Sequence, residues 1–171
     1  MIEEENTETI PSKDYHIDRL NNEEALKIML QNHLKAFKSV KVALNSIELS
    51  VSKIVSLLSN NIKSKIVYVG AGTSGRIAVQ DGVELYPTFG WPLKRVKFII
   101  AGGTKALTKS IEGAEDLKGK NIFEIVKNKI KPNDVVIGIA ASGSTPFTIE
   151  VIKFANQIGA MTIGISNNKN T

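Results

Sequence analysis

The fold of this 171-residue chain is decided by one stretch, Val67-Tyr68-Val69-Gly70-Ala71-Gly72-Thr73-Ser74-Gly75-Arg76. A short apolar run that ends in glycines and is followed by a helical pattern predicts a strand, a loop and a helix. Glycine lets the backbone take a positive φ or approach a ligand closely. Hydroxyl and amide groups at the start of a helix bind anions, so this loop predicts a site for a phosphorylated ligand.

The same loop has the glycine spacing of a dinucleotide site, Gly70-x-Gly72-x-x-Gly75. That function also requires an acidic residue at the end of the next strand, where it binds the ribose. The next predicted strand, residues 96–100, is followed by Ala101-Gly102-Gly103 and has no acidic residue there. A small sugar phosphate is therefore favoured over NAD or FAD, and a tight turn without a ligand is the remaining alternative.

The composition is that of a globular protein without cysteine chemistry. Hydrophobic residues make up 42% of the chain and charged residues 23%, which is ordinary for one folded domain. The absence of cysteine excludes disulfides, thiolate metal sites and cysteine nucleophiles. The lysines behind the net charge of +5 are scattered singly, so we expect a solvated surface and no nucleic-acid partner.

The N-terminal sequence does not resemble a targeting segment. Met1-Ile2-Glu3-Glu4-Glu5 is acidic and polar, unlike a signal peptide. No apolar run approaches the roughly 18 residues of a membrane span. We therefore expect a cytoplasmic protein with no membrane partner.

The first third of the chain predicts an arm and helices. Residues 1–19 lack periodicity and are interpreted as an N-terminal arm, and residues 20–171 as a single domain. A helix is expected to begin near Asn22. A stripe at alternating steps of three and four residues then predicts one helix over about 34–59, roughly 38 Å long, which could pack in a homodimer. The stripe comprises Phe37, Val40, Leu44, Ile47, Val51, Ile54 and Leu58.

Strands and helices alternate in the rest of the chain. Strands are predicted at about 65–69, 96–100, 134–140 and 160–165. The helices are predicted at about 74–85, 104–117, 120–130 and 146–158. Continuous apolar strands alternating with helices predict an α/β fold, a three-layer αβα sandwich with an open and mainly parallel sheet. The chain stops in the loop after the fourth strand, so we expect a truncated domain.

A second polar loop follows the third predicted strand. It comprises Ser142, Gly143, Ser144 and Thr145, and Pro146 suits the first turn of the next helix. Because parallel strands end at the same edge of a sheet, the two loops are expected to converge on one phosphate.

The two loops, Gly70-Ala71-Gly72-Thr73-Ser74-Gly75-Arg76 and Ser142-Gly143-Ser144-Thr145, resemble the sugar isomerase (SIS) family of phosphosugar-binding domains. Further stretches resemble the N-acetylmuramic acid 6-phosphate etherases of that family and their relative, the glucokinase regulatory protein. These are Asp81-Gly82-Val83-Glu84-Leu85-Tyr86-Pro87-Thr88-Phe89-Gly90, Ile100-Ala101-Gly102-Gly103 and Ser110-Ile111-Glu112-Gly113-Ala114-Glu115-Asp116. The resemblance covers nearly the whole chain. It implies a flavodoxin-like, SIS-type domain that binds a phosphorylated amino sugar and forms a homodimer.

The resemblance also implies a reaction, the loss of D-lactate from carbon 3 of the phosphorylated sugar during cell-wall recycling. A base removes the proton at carbon 2, an acid protonates the departing oxygen, and water then adds to give N-acetylglucosamine 6-phosphate. By the family's motif Glu115 is assigned as the base and Glu84 as the acid, with no metal and no cofactor. The residues assigned to the substrate and its phosphate are Gly72, Thr73, Ser74, Gly75, Glu112, Ser142, Gly143, Ser144 and Thr145.

Three features complicate this assignment. Glu84 lies ten residues beyond Ser74, about 15 Å along an unbroken helix, so either the helix bends near Gly82 or Glu84 serves a second subunit. Ser144 stands where the family has an arginine, and the family's chain is nearly twice as long. A non-catalytic phosphosugar-binding module and a sugar-phosphate isomerase therefore remain as alternatives.

Overall fold

The computed structural model describes residues 16–168, and these form two compact units, 16–55 and 56–168. Most of the predicted arm, residues 1–19, lies outside the described residues. The division into an arm and one domain stays a prediction.

The first unit is helical. A 3-10 turn at Ile17–Arg19 precedes α1 (Asn22–Val42), and α2 (Leu44–Asn60) begins in this unit and ends in the second. The first turn of α1 is closed by a reciprocal cap, in which the Asn21 side chain accepts from the Glu24 amide and the Glu24 carboxylate accepts from the Asn21 amide.

The prediction of one helix over 34–59 is wrong, because the helix breaks at Ala43. The Ala43 amide donates to the carbonyls of both Ser39 and Val40, at 3.2 and 3.0 Å. At this point an i to i−3 bond is added to the regular i to i−4 bond and tightens the turn, although no glycine or proline is present. Among the described residues no single helix is both long and apolar enough to span a bilayer, whereas α1 and α2 taken together, bent at their junction, reach that length and composition.

The second unit contains a four-stranded parallel sheet. Its strands are β1 (Ile66–Gly70), β2 (Val96–Ile100), β3 (Val135–Ile139) and β4 (Met161–Ile165), in the order β2-β1-β3-β4. Each lies within about a residue of its predicted range, since buried parallel strands are continuous apolar runs bounded by turn residues.

Helices cover both faces of this sheet, which confirms the predicted αβα sandwich. The helix α3 (Gly72–Phe89) packs on one face, over Tyr68 and Val96. The helices α4 (Lys120–Val126) and α5 (Pro146–Gln157) pack on the other face. That second face holds the larger core, formed by Val67, Val69, Ile99, Ile122, Val126, Val136, Phe147 and Val151.

The predicted helix over 104–117 is wrong. The chain after β2 instead forms two short 3-10 turns, Gly103–Leu107 and Ala114–Asp116, with an irregular stretch between them. Gly102, Gly103 and Gly113 all have φ between 67 and 80°, a region that an α-helix cannot include.

Two side chains hold the amino edge of the sheet together. Asp134, which is only 2% exposed, accepts hydrogen bonds from the amides of Lys65 and Lys131, both at 2.9 Å. The Arg95 guanidinium donates to main-chain oxygens of Ser64, Leu58 and Asn61. The loops at this edge therefore have their backbone groups paired.

Candidate functional site

The order of the strands creates a crevice at the carboxyl edge of the sheet. From β1 the chain crosses to β2 on one side, and β3 lies on the other side. Gly70 at the end of β1 is level with Ile139 at the end of β3, so the loops after these strands begin side by side. Such a switch point is where open α/β sheets bind ligands.

The loop after β1 leads directly into α3. Gly72 takes a φ of +52°, Thr73 is exposed and Ser74 is half-buried. Ala71 precedes the helix and supplies no side-chain cap, so the first amides of α3 keep their donors. Within residues 16–168 the Thr73 and Ser74 hydroxyls have no hydrogen bond, and together these groups can receive an anion.

The outer glycines of this loop are required by packing. A Cβ atom on Gly70 would lie 2.9 Å from the Cα of Gly75, and one on Gly75 would lie 3.0 Å from the carbonyl oxygen of Gly70. The start of α3 therefore rests directly on the end of β1. This contact explains the Gly-x-Gly-x-x-Gly spacing without a dinucleotide.

The loop after β3 has a similar position. Gly143 takes a φ of 73°, and the Ser142 hydroxyl accepts from the Ser144 amide at 3.2 Å. The segment after β4 holds this loop in place, because Asn168 donates to the Ser142 carbonyl at 3.1 Å. Thr145 caps α5 through its backbone only, and its side chain makes no capping bond.

A cavity of about 260 Å³ opens beside the first of these loops. Its floor includes Gly72, and its opposite wall is the irregular segment after β2, with Glu112 and Glu115. Two cationic residues, Arg76 and Lys109, also line it. The cavity thus combines carboxylates that can transfer protons with cations that can hold an anion.

Arg76 joins the two walls of the cavity. It lies in the second turn of α3, where its Nε donates to the Ala106 carbonyl at 2.9 Å and its Nη2 donates to the Lys109 carbonyl at 3.2 Å. These bonds connect α3 to the segment that carries the two glutamates.

Comparison with known proteins identifies the family. The sequence profile of the glucokinase regulatory protein N-terminal SIS domain matches residues 49–156. The chain belongs to this SIS domain family. The predicted resemblance is therefore confirmed at the level of the domain.

This SIS domain is also similar to longer bacterial proteins. It is 40% identical over 169 residues to an N-acetylmuramic acid 6-phosphate etherase of Bacillus cytotoxicus, covering 99% of this chain and 57% of the relative. It is 39% identical over 171 residues to an etherase of the same name from Oceanobacillus iheyensis, covering 100% of this chain and 58% of that protein. The chain thus spans a little over half the length of these relatives.

A solved structure supports the fold. Phosphoheptose isomerase from Neisseria gonorrhoeae superposes with a TM-score of 0.56 at 18% identity, over 84% of this chain and 74% of that one. At this identity the likeness shows a shared fold alone.

The SIS domain places Glu84 away from the cavity. α3 continues past Gly82, which faces the sheet so closely that a Cβ atom there would lie 2.5 Å from the Phe98 ring. Glu84 lies two residues further, about 200° around the helix, and is exposed. Nearby, the Tyr68 hydroxyl donates a hydrogen bond to Asp81 at 2.9 Å. Burial is the larger cause and this hydrogen bond the smaller cause of a raised pKa of Tyr68.

The predicted site residues therefore fall into four groups. Gly72, Glu112 and Glu115 share the cavity, whereas Ser142, Gly143, Ser144 and Thr145 form the neighbouring loop at the switch point. Thr73, Ser74 and Gly75 lie in the first turn of α3, and Glu84 stands apart. Glu112 and Glu115 do not share a helix face as predicted, since Gly113 separates them at a φ of 67°.

Sequence reasoning missed Arg76 and Lys109 as lining residues. Arg76 offered one signal, because it lies four residues after Gly72 and so falls on the same face of α3. Lys109 offered none, since its place depends on the irregular segment after β2.

Proposed function

We propose that this SIS domain binds a phosphorylated amino sugar and acts in the cytoplasm as an N-acetylmuramic acid 6-phosphate etherase. The observation that carries the proposal is the cavity that Glu115 lines together with Gly72 and Arg76 of α3. The names of relatives at 38–40% identity support this substrate.

In this proposal the two sides of the crevice have separate tasks. The 6-phosphate would bind the hydroxyls and free amides of the loops after β1 and β3, where two helix N-termini favour negative charge. Carbon 2 would then lie toward Glu115, which removes its proton. Elimination of D-lactate follows, and water adds to the resulting double bond. Glu112 would contact the sugar beside it.

Glu84 would act as the acid from a second subunit of a homodimer. Along α3 it lies twelve residues beyond Gly72, about 18 Å, which is more than a hexose phosphate spans. Exposed apolar residues flank it on the same helix, namely Ile77, Val83 and Tyr86. An interface across this surface would bring Glu84 to the cavity of the partner.

Mixed variants test this arrangement. We expect Glu84→Gln and Glu115→Gln each to abolish lactate release from N-acetylmuramic acid 6-phosphate, followed by proton NMR. Mixing and re-equilibrating the two variants should restore about a quarter of the wild-type rate, because mixed dimers contain one intact site. An inactive mixture would contradict action of Glu84 across the dimer. Lys94→Gln, which alters an exposed charge just beyond α3, serves as the control.

A second candidate function is a non-catalytic phosphosugar-binding module. It is favoured by Glu84 lying outside the cavity that Glu112 and Glu115 line. Saturation transfer to the sugar phosphate without release of lactate would select this function. Interconversion of hexose 6-phosphates would instead indicate an isomerase.

A further inference from the structure

The chain between β2 and the 3-10 turn of Glu115 has few anchors of its own, whereas that turn is anchored in the larger core by Ala114. Between Gly102 and Gly113 the only buried side chain is that of Ala106, which is 4% exposed. Ile111 rests on Gly102, where a Cβ atom would lie 3.0 Å from it. A segment with so little buried apolar surface opens readily unless other contacts hold it.

Arg76 supplies such contacts from a rigid element. Its side chain is half-buried, and α3 itself is fixed to the sheet by the close approach of Gly75 to Gly70. Two separate nitrogen atoms of the guanidinium reach the carbonyls of Ala106 and Lys109, three residues apart. Both carbonyls belong to the wall of the cavity that leads to Glu112.

We propose that Arg76 is a positioning residue that holds residues 106–112 against α3 and, together with the burial of Ala114, sets the place of Glu115. The consequence for catalysis rests on the proposed etherase function, whereas the tether itself does not. Arginine suits this task because its planar fork donates from fixed positions to two acceptors at once. Lysine has one terminal nitrogen, and we expect it to replace the tether only in part.

Limited trypsin digestion of the full chain tests the tether without any ligand. Lys105 and Lys109 are exposed and lie on the tethered segment, so opening of the segment makes them cleavage sites. We expect Arg76→Met to increase cleavage at these two bonds about 10-fold, and Arg76→Lys to have an intermediate effect. Cleavage is followed by mass spectrometry of the intact fragments.

Arg95→Met is the matched control. Arg95 also donates to main-chain oxygens, those of Ser64, Leu58 and Asn61, but at the opposite edge of the sheet. We expect its loss to lower thermal stability without selective cleavage after Lys105 and Lys109. Equal cleavage of these bonds in both variants, or none in Arg76→Met, would overturn the proposal.

Kinetics test the effect on Glu115. Displacement of a catalytic group by about 1 Å can cost roughly 100-fold in rate, so Arg76→Met should lower kcat by about that factor. KM should change by less than about 3-fold, since the loops that bind phosphate are not touched. A rise in KM with unchanged kcat would assign Arg76 to substrate binding instead. If the wild-type chain releases no lactate, the proposed function fails, and the digestion still decides whether the tether exists.

Discussion

The two edges of the sheet use their polar groups in opposite ways. At the amino edge, Asp134 and Arg95 pair with five main-chain groups of the surrounding loops. At the carboxyl edge, the hydroxyls of Thr73 and Ser74 have no hydrogen bond within residues 16–168, and Thr145 makes no capping bond. The amino edge thus holds the fold, while the loop after β1 at the carboxyl edge leaves two hydroxyls unpaired among the described residues.

This contrast means that substitutions at the two edges should affect different measurements. Loss of a paired group leaves its partners unsatisfied and lowers the free energy of unfolding. Loss of an unpaired hydroxyl leaves nothing unsatisfied in the free protein, so it should affect only ligand affinity.

The largest effect on stability is expected for Asp134→Ala. It leaves the amides of Lys65 and Lys131 without their acceptor, which should lower the free energy of unfolding by about 2–4 kcal/mol. Denaturation in urea measures the change. Asp134→Asn, which keeps one acceptor oxygen, should lose less. If Asp134→Ala lowers the free energy of unfolding by less than about 0.5 kcal/mol, the amino edge does not stabilise the fold more than the carboxyl edge does.

Ser74→Ala and Thr145→Val should lower ligand affinity and leave the free energy of unfolding almost unchanged. Each should weaken binding of the sugar phosphate roughly 10- to 100-fold, as expected for the loss of one hydrogen bond to a charged group. A Thr at a helix N-cap usually contributes about 1 kcal/mol, yet Thr145→Val should cost almost nothing, because its side chain makes no capping bond. Thr88→Ala near the end of α3 is the control for both. Loss of stability with unchanged affinity would reverse the interpretation of this edge.

The smallest effect concerns Tyr68, which lies on the α3 face between the two edges. Burial first, and then the hydrogen bond to Asp81, raise the pKa of the phenol above its ordinary value of 10.0. The folded state therefore holds this proton more tightly than the unfolded state, and the stability it provides is complete below pH 10.0 and is lost as the pH rises above that value. Tyr68→Phe should lower the free energy of unfolding by about 1 kcal/mol at pH 7. Above pH 10.0 the free energy of unfolding of this variant should fall less steeply than that of the wild-type protein. Parallel pH profiles for both proteins would show that ionisation of Tyr68 is not coupled to folding.

The parts of the fold that were predictable from the sequence are those fixed by local patterns. The four strands follow from continuous apolar runs, and the starts of α3 and α5 follow from Gly72 and Pro146. The convergence of the two polar loops at the carboxyl edge follows from the same pattern, because parallel strands end together.

The failures have causes that no local pattern contains. The chain after β2 has apolar spacing that suits a helix, but Gly113 takes a positive φ. Arg76, 30 residues earlier in the chain, also donates to the Ala106 carbonyl of this segment. The break at Ala43 occurs without glycine or proline. The sequence predicts that Glu84 lies too far along α3 to reach the ligand of its own subunit. Gly82 explains its orientation, because the close approach of Gly82 to Phe98 turns Glu84 away from the sheet.

The central place of β1 has a consequence for how the chain folds. β1 is the first strand in the chain, yet its partners come later, with Ile66 paired to Val96 and to Val135. Because closing a shorter loop costs less entropy, we expect two βαβ units to form first, β1-α3-β2 with Ile66 paired 30 residues away and β3-α5-β4 with Val135 paired 26 residues away. Pairing of β1 with β3, which joins Ile66 to a residue 69 positions later, is then expected last. The strand that leads into the first loop of the candidate site is thus also the strand that joins the two halves of the sheet.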